Sequence, residues 1–142
     1  MTETMTEAKT DQSADAVTVL IVDDQPPFRA AARAVIARVK GFTLLAEVDS
    51  GELAVTTSAA LAPRLILMDI NMGELDGIEA TRLITDADPA IKVILLSTYS
   101  LEDLPPDARR SGAIAYVNKD ELSPRVIRQI WATGGDPTWL DD

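Results

Sequence analysis

The stretch Leu65-Ile66-Leu67-Met68-Asp69-Ile70-Asn71-Met72-Gly73-Glu74-Leu75-Asp76 decides the fold, because an apolar run stops abruptly at the carboxylate of Asp69. So short a continuous apolar run reads as a strand buried on both faces. Its last residue then emerges at the carboxyl edge of a parallel sheet, and in open α/β sheets that edge is where ligands bind.

Four further runs flank it: Val17 to Val22, Thr43 to Val48, Lys92 to Leu96 and Ile114 to Val117. Helical patterns fall between them. Pro26-Pro27 suit a first helical turn, Phe28, Ala32, Val35, Ile36 and Val39 recur at helical spacing, and Gly41 stops the pattern. Asp49-Ser50-Gly51 caps a second helix with Leu53, Ala54, Thr57, Ala60 and Leu61 on a modest apolar face, ended by Pro63. Ala80, Leu83, Ile84 and Ala87 mark a third, broken by Asp88-Pro89. Before Ser111-Gly112, Pro105-Pro106 permits only one or two turns of a fourth. Ser123-Pro124 opens a last helix with Val126, Ile127, Ile130 and Trp131, closed by Gly134-Gly135. Five strands alternating with helical segments imply right-handed crossovers and a doubly wound (βα)₅ parallel sheet of the flavodoxin-like α/β class.

A chain of 142 residues makes one domain. Such a domain buries roughly two thirds of its unfolded surface in a single core. With no Cys and no His, disulfides, thiolate or imidazole metal sites and His-based acid/base catalysis are excluded. The net charge of −10 opposes direct binding to nucleic acid or anionic membrane. Met1 to Ala16 has almost no large apolar residue, so it reads as a disordered acidic tail. Residues 17–133 make the folded domain, and 134–142 a short acidic tail. No signal peptide or apolar span is visible, which makes a cytoplasmic location the expectation.

Four strands end in polar residues: Asp23-Asp24, Asp69, Ser97-Thr98 and Lys119. Singly, an Asp pair is most often a cap or turn, a Ser-Thr pair a loop opening, and a lysine a solvated charge. In a parallel sheet, however, all four open on one edge. Three carboxylates there repel one another unless a hard cation joins them, and oxygen-only ligands favour Mg²⁺. A cation, an ammonium and a hydroxyl are what a phosphoryl group needs around it, so Asp69 can act as a nucleophile forming an aspartyl phosphate.

The set Val22-Asp23-Asp24, Met68-Asp69-Ile70-Asn71-Met72 with Leu75-Asp76-Gly77, Leu96-Ser97 and Tyr116-Val117-Asn118-Lys119 resembles the receiver domain of bacterial two-component response regulators. Asp23-Asp24-Gln25-Pro26-Pro27-Phe28-Arg29 and Lys119-Asp120 are similar to the nitrate-regulator subfamily, whose members carry a helix-turn-helix output domain. The resemblance covers about Val17 to Thr133. It implies Asp69 as phosphoacceptor, with Asp24 and Asp69 as direct Mg²⁺ ligands. Asp23 would act mainly through water, and the Asn71 backbone carbonyl would be a third protein ligand. The family spacing to Lys119 picks Ser97 over Thr98 as the switch hydroxyl, and Tyr116 matches the aromatic that turns inward when this hydroxyl moves. The implied partners are a histidine kinase or phosphotransfer protein, an unidentified downstream protein, and a second copy in a homodimer. No enzymatic activity is implied beyond self-catalysed phosphoryl transfer and its hydrolysis.

Gly73 replaces a proline common in relatives and should loosen the loop after Asp69. Pro105-Pro106 disturbs a surface through which relatives signal. Nine residues follow Thr133, against on the order of 60 for an output domain, so the expectation is a receiver alone, acting by protein contact or cut from a longer chain. Two other classes compete: a pseudo-receiver acting only as a binding module, and a haloacid-type Mg²⁺ phosphatase. The phosphatase would need Asp-x-Asp after the first strand, where Asp23-Asp24-Gln25 stands.

Overall fold

In the computed structural model, which describes residues 16–140, β3 (Leu65–Asp69) lies at the centre of a five-stranded parallel sheet. Its neighbours are β1 (Val17–Val22) and β4 (Lys92–Ser97), flanked by β2 (Phe42–Val48) and β5 (Ala115–Asn118), in the order β2-β1-β3-β4-β5. All five residues of β3 are buried, as a run without polar alternation requires. The strand pleat divides its side chains. Ile66 and Met68 join Leu20, Val22, Val93 and Leu95 on one face, whereas Leu65 and Leu67 join Val19, Ile21, Ile94 and Leu96 on the other.

The first of these faces is covered by α2 (Gly51–Leu61) and α3 (Gly77–Ala87) through Ala54, Ala80 and Ile84. The second is covered by α1 (Pro26–Ala37) and α4 (Pro124–Thr133) through Ala32, Ile36, Ile127 and Ile130. Ser50 caps α2 by accepting from the Leu53 N–H at 3.1 Å, and Ser123 caps α4 by accepting from that of Val126 at 3.2 Å.

Four features differ from the expectation. The buried face of α2 is Gly51, Ala54 and Ser58, while Leu53 and Leu61 are about half exposed. Small side chains let this helix approach its neighbours, which turns the leucines outward. Leu83 of α3 is likewise exposed, its place in the core being taken by Ile78 and Thr81. Between β4 and β5 the backbone forms two 3-10 segments, Leu101–Asp103 and Pro106–Arg110, since prolines at 105 and 106 withhold two N–H donors. The residues after α4, read as a short tail, instead turn back at Gly134 and Gly135 into α5 (Pro137–Leu140), where Trp139 is buried. The acidic tail expected for residues 1–16 lies outside the described residues except for Ala16, which is buried. Among the described residues no helix is long and apolar enough to cross a membrane.

Candidate functional site

The strand order reverses between β1 and β3, and there Asp23 and Asp69 emerge side by side. The backbone after β1 is fixed by the Asp23 N–H donating to the Val48 carbonyl at 3.1 Å. Asp23 Oδ1 accepts from the Gln25 N–H at 2.8 Å, and Arg29 Nη1 donates to the Asp23 carbonyl at 2.7 Å. This turn delivers Pro26-Pro27 into the first turn of α1, where a missing N–H costs nothing. Asp23 is buried and its neighbour Asp24 is exposed.

Asp69, also buried, accepts from the Asn71 N–H at 3.3 Å, which draws the loop after β3 back over its carboxylate. That loop ends at Asp76, whose Oδ1 caps α3 by accepting from the Glu79 N–H at 2.9 Å. Gly77 follows, in a place with no room for a side chain, because a Cβ would stand 1.9 Å from the Asp69 carbonyl oxygen. The start of α3 is thereby pressed against the backbone of Asp69.

Lys119 comes from the end of β5 and bridges the two acids, with Nζ 2.7 Å from Asp23 Oδ2 and 3.5 Å from Asp69 Oδ1. Nζ also sits 4.5 Å from the centre of the Phe28 ring on α1, so an aromatic face limits where the ammonium can go. Carboxylate oxygens of Asp23, Asp24 and Asp69 all lie within 4.8 Å of one another. One ammonium only partly offsets this crowding. Burial, followed by the charge of Asp23, pushes the Asp69 carboxyl up from 3.8 to about 6, against the opposing pull of Lys119 and the Asn71 N–H. An oxygen-only cluster with surplus negative charge suits a hard divalent cation.

Ser97 ends β4 and is buried, whereas Thr98 is exposed. Ser97 Oγ accepts from the Tyr99 N–H at 3.1 Å and lies 2.9 Å from the Tyr116 hydroxyl. That hydroxyl also reaches the carbonyls of Ser97, at 3.1 Å, and Tyr99. Tyr116 therefore points inward, and its hydroxyl is pushed above its usual value by burial, partly relieved by Ser97. Asn118 Nδ2 donates to the Tyr99 carbonyl at 3.2 Å, tying the loop after β4 to the end of β5. Asn71 is exposed. Sequence reading did not single out Phe28 as the ring beneath Lys119. It stood only as the first apolar position of a helical stripe and as part of the stretch similar to the nitrate-regulator subfamily, one turn after the acidic pair.

Residues 19–131 match the family model described as the response regulator receiver domain. Response regulator UvrY of Escherichia coli O6:H1 is 33% identical over 114 residues, which cover 80% of this chain and 52% of that protein. The chain thus spans about half the length of such curated relatives. A LuxR-family two-component response regulator from Aurantimonas superposes with a TM-score of 0.74 at 27% identity, covering 83% of this chain and 84% of that one. The response regulator domain of Thermotoga maritima CheB gives 0.74 at 28% identity, over 86% and 99%. The strand order, the acidic switch point and these likenesses agree, and the chain belongs to the response regulator receiver family.

Proposed function

We propose that this chain is a phosphorylatable switch in which Asp69 accepts a phosphoryl group from a histidine kinase or phosphotransfer protein. The observation that carries the reading is the bridging of Asp23 and Asp69 by Lys119 at the point where the sheet order reverses. With its pKa near 6, Asp69 is ionised at neutral pH and holds a lone pair on a buried carboxylate. It attacks phosphorus, the bond to the donor nitrogen or oxygen breaks, and the leaving group keeps the electron pair. Lys119 then exchanges part of its contact with Asp69 for a phosphoryl oxygen, and its link to Asp23 keeps it in place. Ser97 turns its hydroxyl to a second oxygen.

Asp24 and Asp69 would hold Mg²⁺, with the Asn71 carbonyl as a third ligand and Asp23 acting through water. The donor set fits, being oxygen only and short of positive charge. When bound, the ion supplies neutralisation of charge on the carboxylates and the incoming phosphoryl oxygens. Movement of Ser97 and Tyr116 alters the surface around β4 and β5 that a downstream protein, or a second copy in a homodimer, would read.

Incubation with a small phosphodonor and Mg²⁺ should add one phosphoryl group to the intact mass, mapped to Asp69, and Asp69→Asn should not gain it. A label mapped elsewhere in the unaltered protein, or none, would refute the reading.

A further inference from the structure

The backbone beneath Lys119 is fixed, but its side chain is a long flexible stem. Asn118 Oδ1 accepts from the Asp120 N–H at 2.9 Å, and Lys119 opens the 3-10 turn Lys119–Glu121. Beyond Cα, the stem and its compact ammonium have many rotamers to choose from. The two acids hold Nζ unequally, at 2.7 Å for Asp23 and 3.5 Å for Asp69, and the longer contact is too long for a good hydrogen bond. The Phe28 ring is the further partner, its centre 4.5 Å from the same nitrogen. In this company the Lys119 side chain is only 9% exposed.

Phe28 itself is anchored to the acidic turn. The Phe28 and Arg29 N–H groups both donate to the Gln25 carbonyl, at 3.0 and 3.1 Å, which closes the first turn of α1 behind Pro26 and Pro27. Arg29 Nη1 donates to the Asp23 carbonyl at 2.7 Å, and its Nε lies 3.6 Å from Glu47 on β2. The ring packs against the core on that side of the sheet. Ring and Asp23 therefore keep their spacing, and the mobile ammonium meets two fixed partners.

Charge sets the sign of the effect. Transfer replaces the single charge of the Asp69 carboxylate by the roughly two of a phosphoryl group, so Nζ faces more negative charge afterwards than before. An ammonium kept there and largely out of water gains from the added charge, whereas one that swings into solvent gains less. The ring face attracts the cation without offering it a rival anion. We propose that Phe28 is a positioning residue for the phosphoryl step: its ring keeps the Lys119 ammonium at Asp23 and within reach of the group on Asp69. This rests on the phosphoacceptor reading above.

The probe is beryllofluoride with Mg²⁺, titrated onto the full chain, since it too adds negative charge at Asp69. The chain has two phenylalanines, Phe28 and Phe42. In a Phe42→Tyr background, growth on fluorinated phenylalanines places the altered ring at position 28 alone. Each added fluorine drains negative charge from the ring face while the ring keeps its outline and apolar character, so it weakens the pull on a cation and spares the packing. Affinity should fall stepwise along the series, reaching about threefold weaker with the trifluoro ring, the range of a partly screened cation–π contact. Phe28→Leu should fall at least as far. A second readout needs no metal: the ε-methylene resonance of Lys119, assigned by its loss in Lys119→Arg, should lie upfield of those of the other lysines and move back in Phe28→Leu. Affinity that stays level or rises along the series, as a packing role alone predicts, or an ε-methylene signal unmoved by Phe28→Leu, overturns the role of Phe28 and leaves Asp69 as acceptor. Failure of the unaltered protein to take phosphoryl at Asp69 overturns the phosphoacceptor reading, and the role of Phe28 with it.

Discussion

Asp69 carries its charge at neutral pH against the preference of its surroundings, and that has a measurable cost. In the unfolded chain the carboxyl ionises near its ordinary 3.8, but in the fold it keeps its proton to about pH 6. Between these values the native state holds a proton that the unfolded state has released, so stability falls as pH rises from about 4 to about 6 and stays lower above. Asp69→Asn removes the charge and keeps an acceptor for the Asn71 N–H. In metal-free buffer at pH 7.5 it should be the more stable protein, by on the order of 1 kcal/mol once screening through the open side beside Asp24 is allowed for. The difference should shrink toward zero near pH 4. Urea titrations at the two pH values would measure it, and equal stabilities at pH 7.5 would contradict the burial and Asp23 repulsion assigned to this site. At this scale the sequence was legible because Asp23, Asp69, Ser97 and Lys119 lie at the ends of strands, and parallel strands bring their ends together. The ring of Phe28 beneath Lys119 was not, because an apolar residue on a helix carries no mark of which charge it will meet.

Elements meet the site through backbone as much as through side chains, and Gly77 is where this can be tested. A Cβ there would lie 1.9 Å from the Asp69 carbonyl oxygen and 3.0 Å from the Ile70 Cα, atoms that no rotamer change can move away. Gly77→Ala should therefore cost about 3 kcal/mol in chemical denaturation and slow phosphoryl labelling of Asp69, since α3 must back away from the loop. Gly73, with φ of +23° and open space where its Cβ would be, is the comparison: Gly73→Ala should cost about 1 kcal/mol. Equal losses would mean that backbone conformation, not the close approach, limits position 77. The elements that sequence placed best are those with long buried runs or paired cap signals, such as β3 and α4. It misjudged α2, where leucines outrank Ala54 and Ser58 in hydrophobicity but small side chains decide how near a helix can come. It also missed α5, because a single Trp after two glycines offers no periodicity, and its burial depends on Arg109 and Ala113, far away in sequence.

For the molecule as a whole, the two sheet faces are independently filled, and the carboxyl edge is where charge remains unbalanced. Nothing in the two cores depends on Asp24, which is exposed, so its loss should leave the fold intact. Mg²⁺ that binds the native edge and not the unfolded chain must raise stability by mass action. At ten times its dissociation constant the gain is about 1.4 kcal/mol. For a domain of this size that corresponds to roughly 5 °C in melting temperature. Crowding of Asp23, Asp24 and Asp69 within 4.8 Å would be the source of such affinity, and Asp24 is the member that the Lys119 bridge leaves out. Removing it should abolish most of the Mg²⁺-dependent shift while changing the metal-free melting temperature little. Thermal melts of the unaltered protein and Asp24→Ala, each with and without millimolar Mg²⁺ at constant ionic strength, separate the specific ion from general screening. Equal shifts in both proteins would place the ion away from Asp24. A shift reproduced by the same ionic strength of sodium chloride would mean that the edge responds to screening alone.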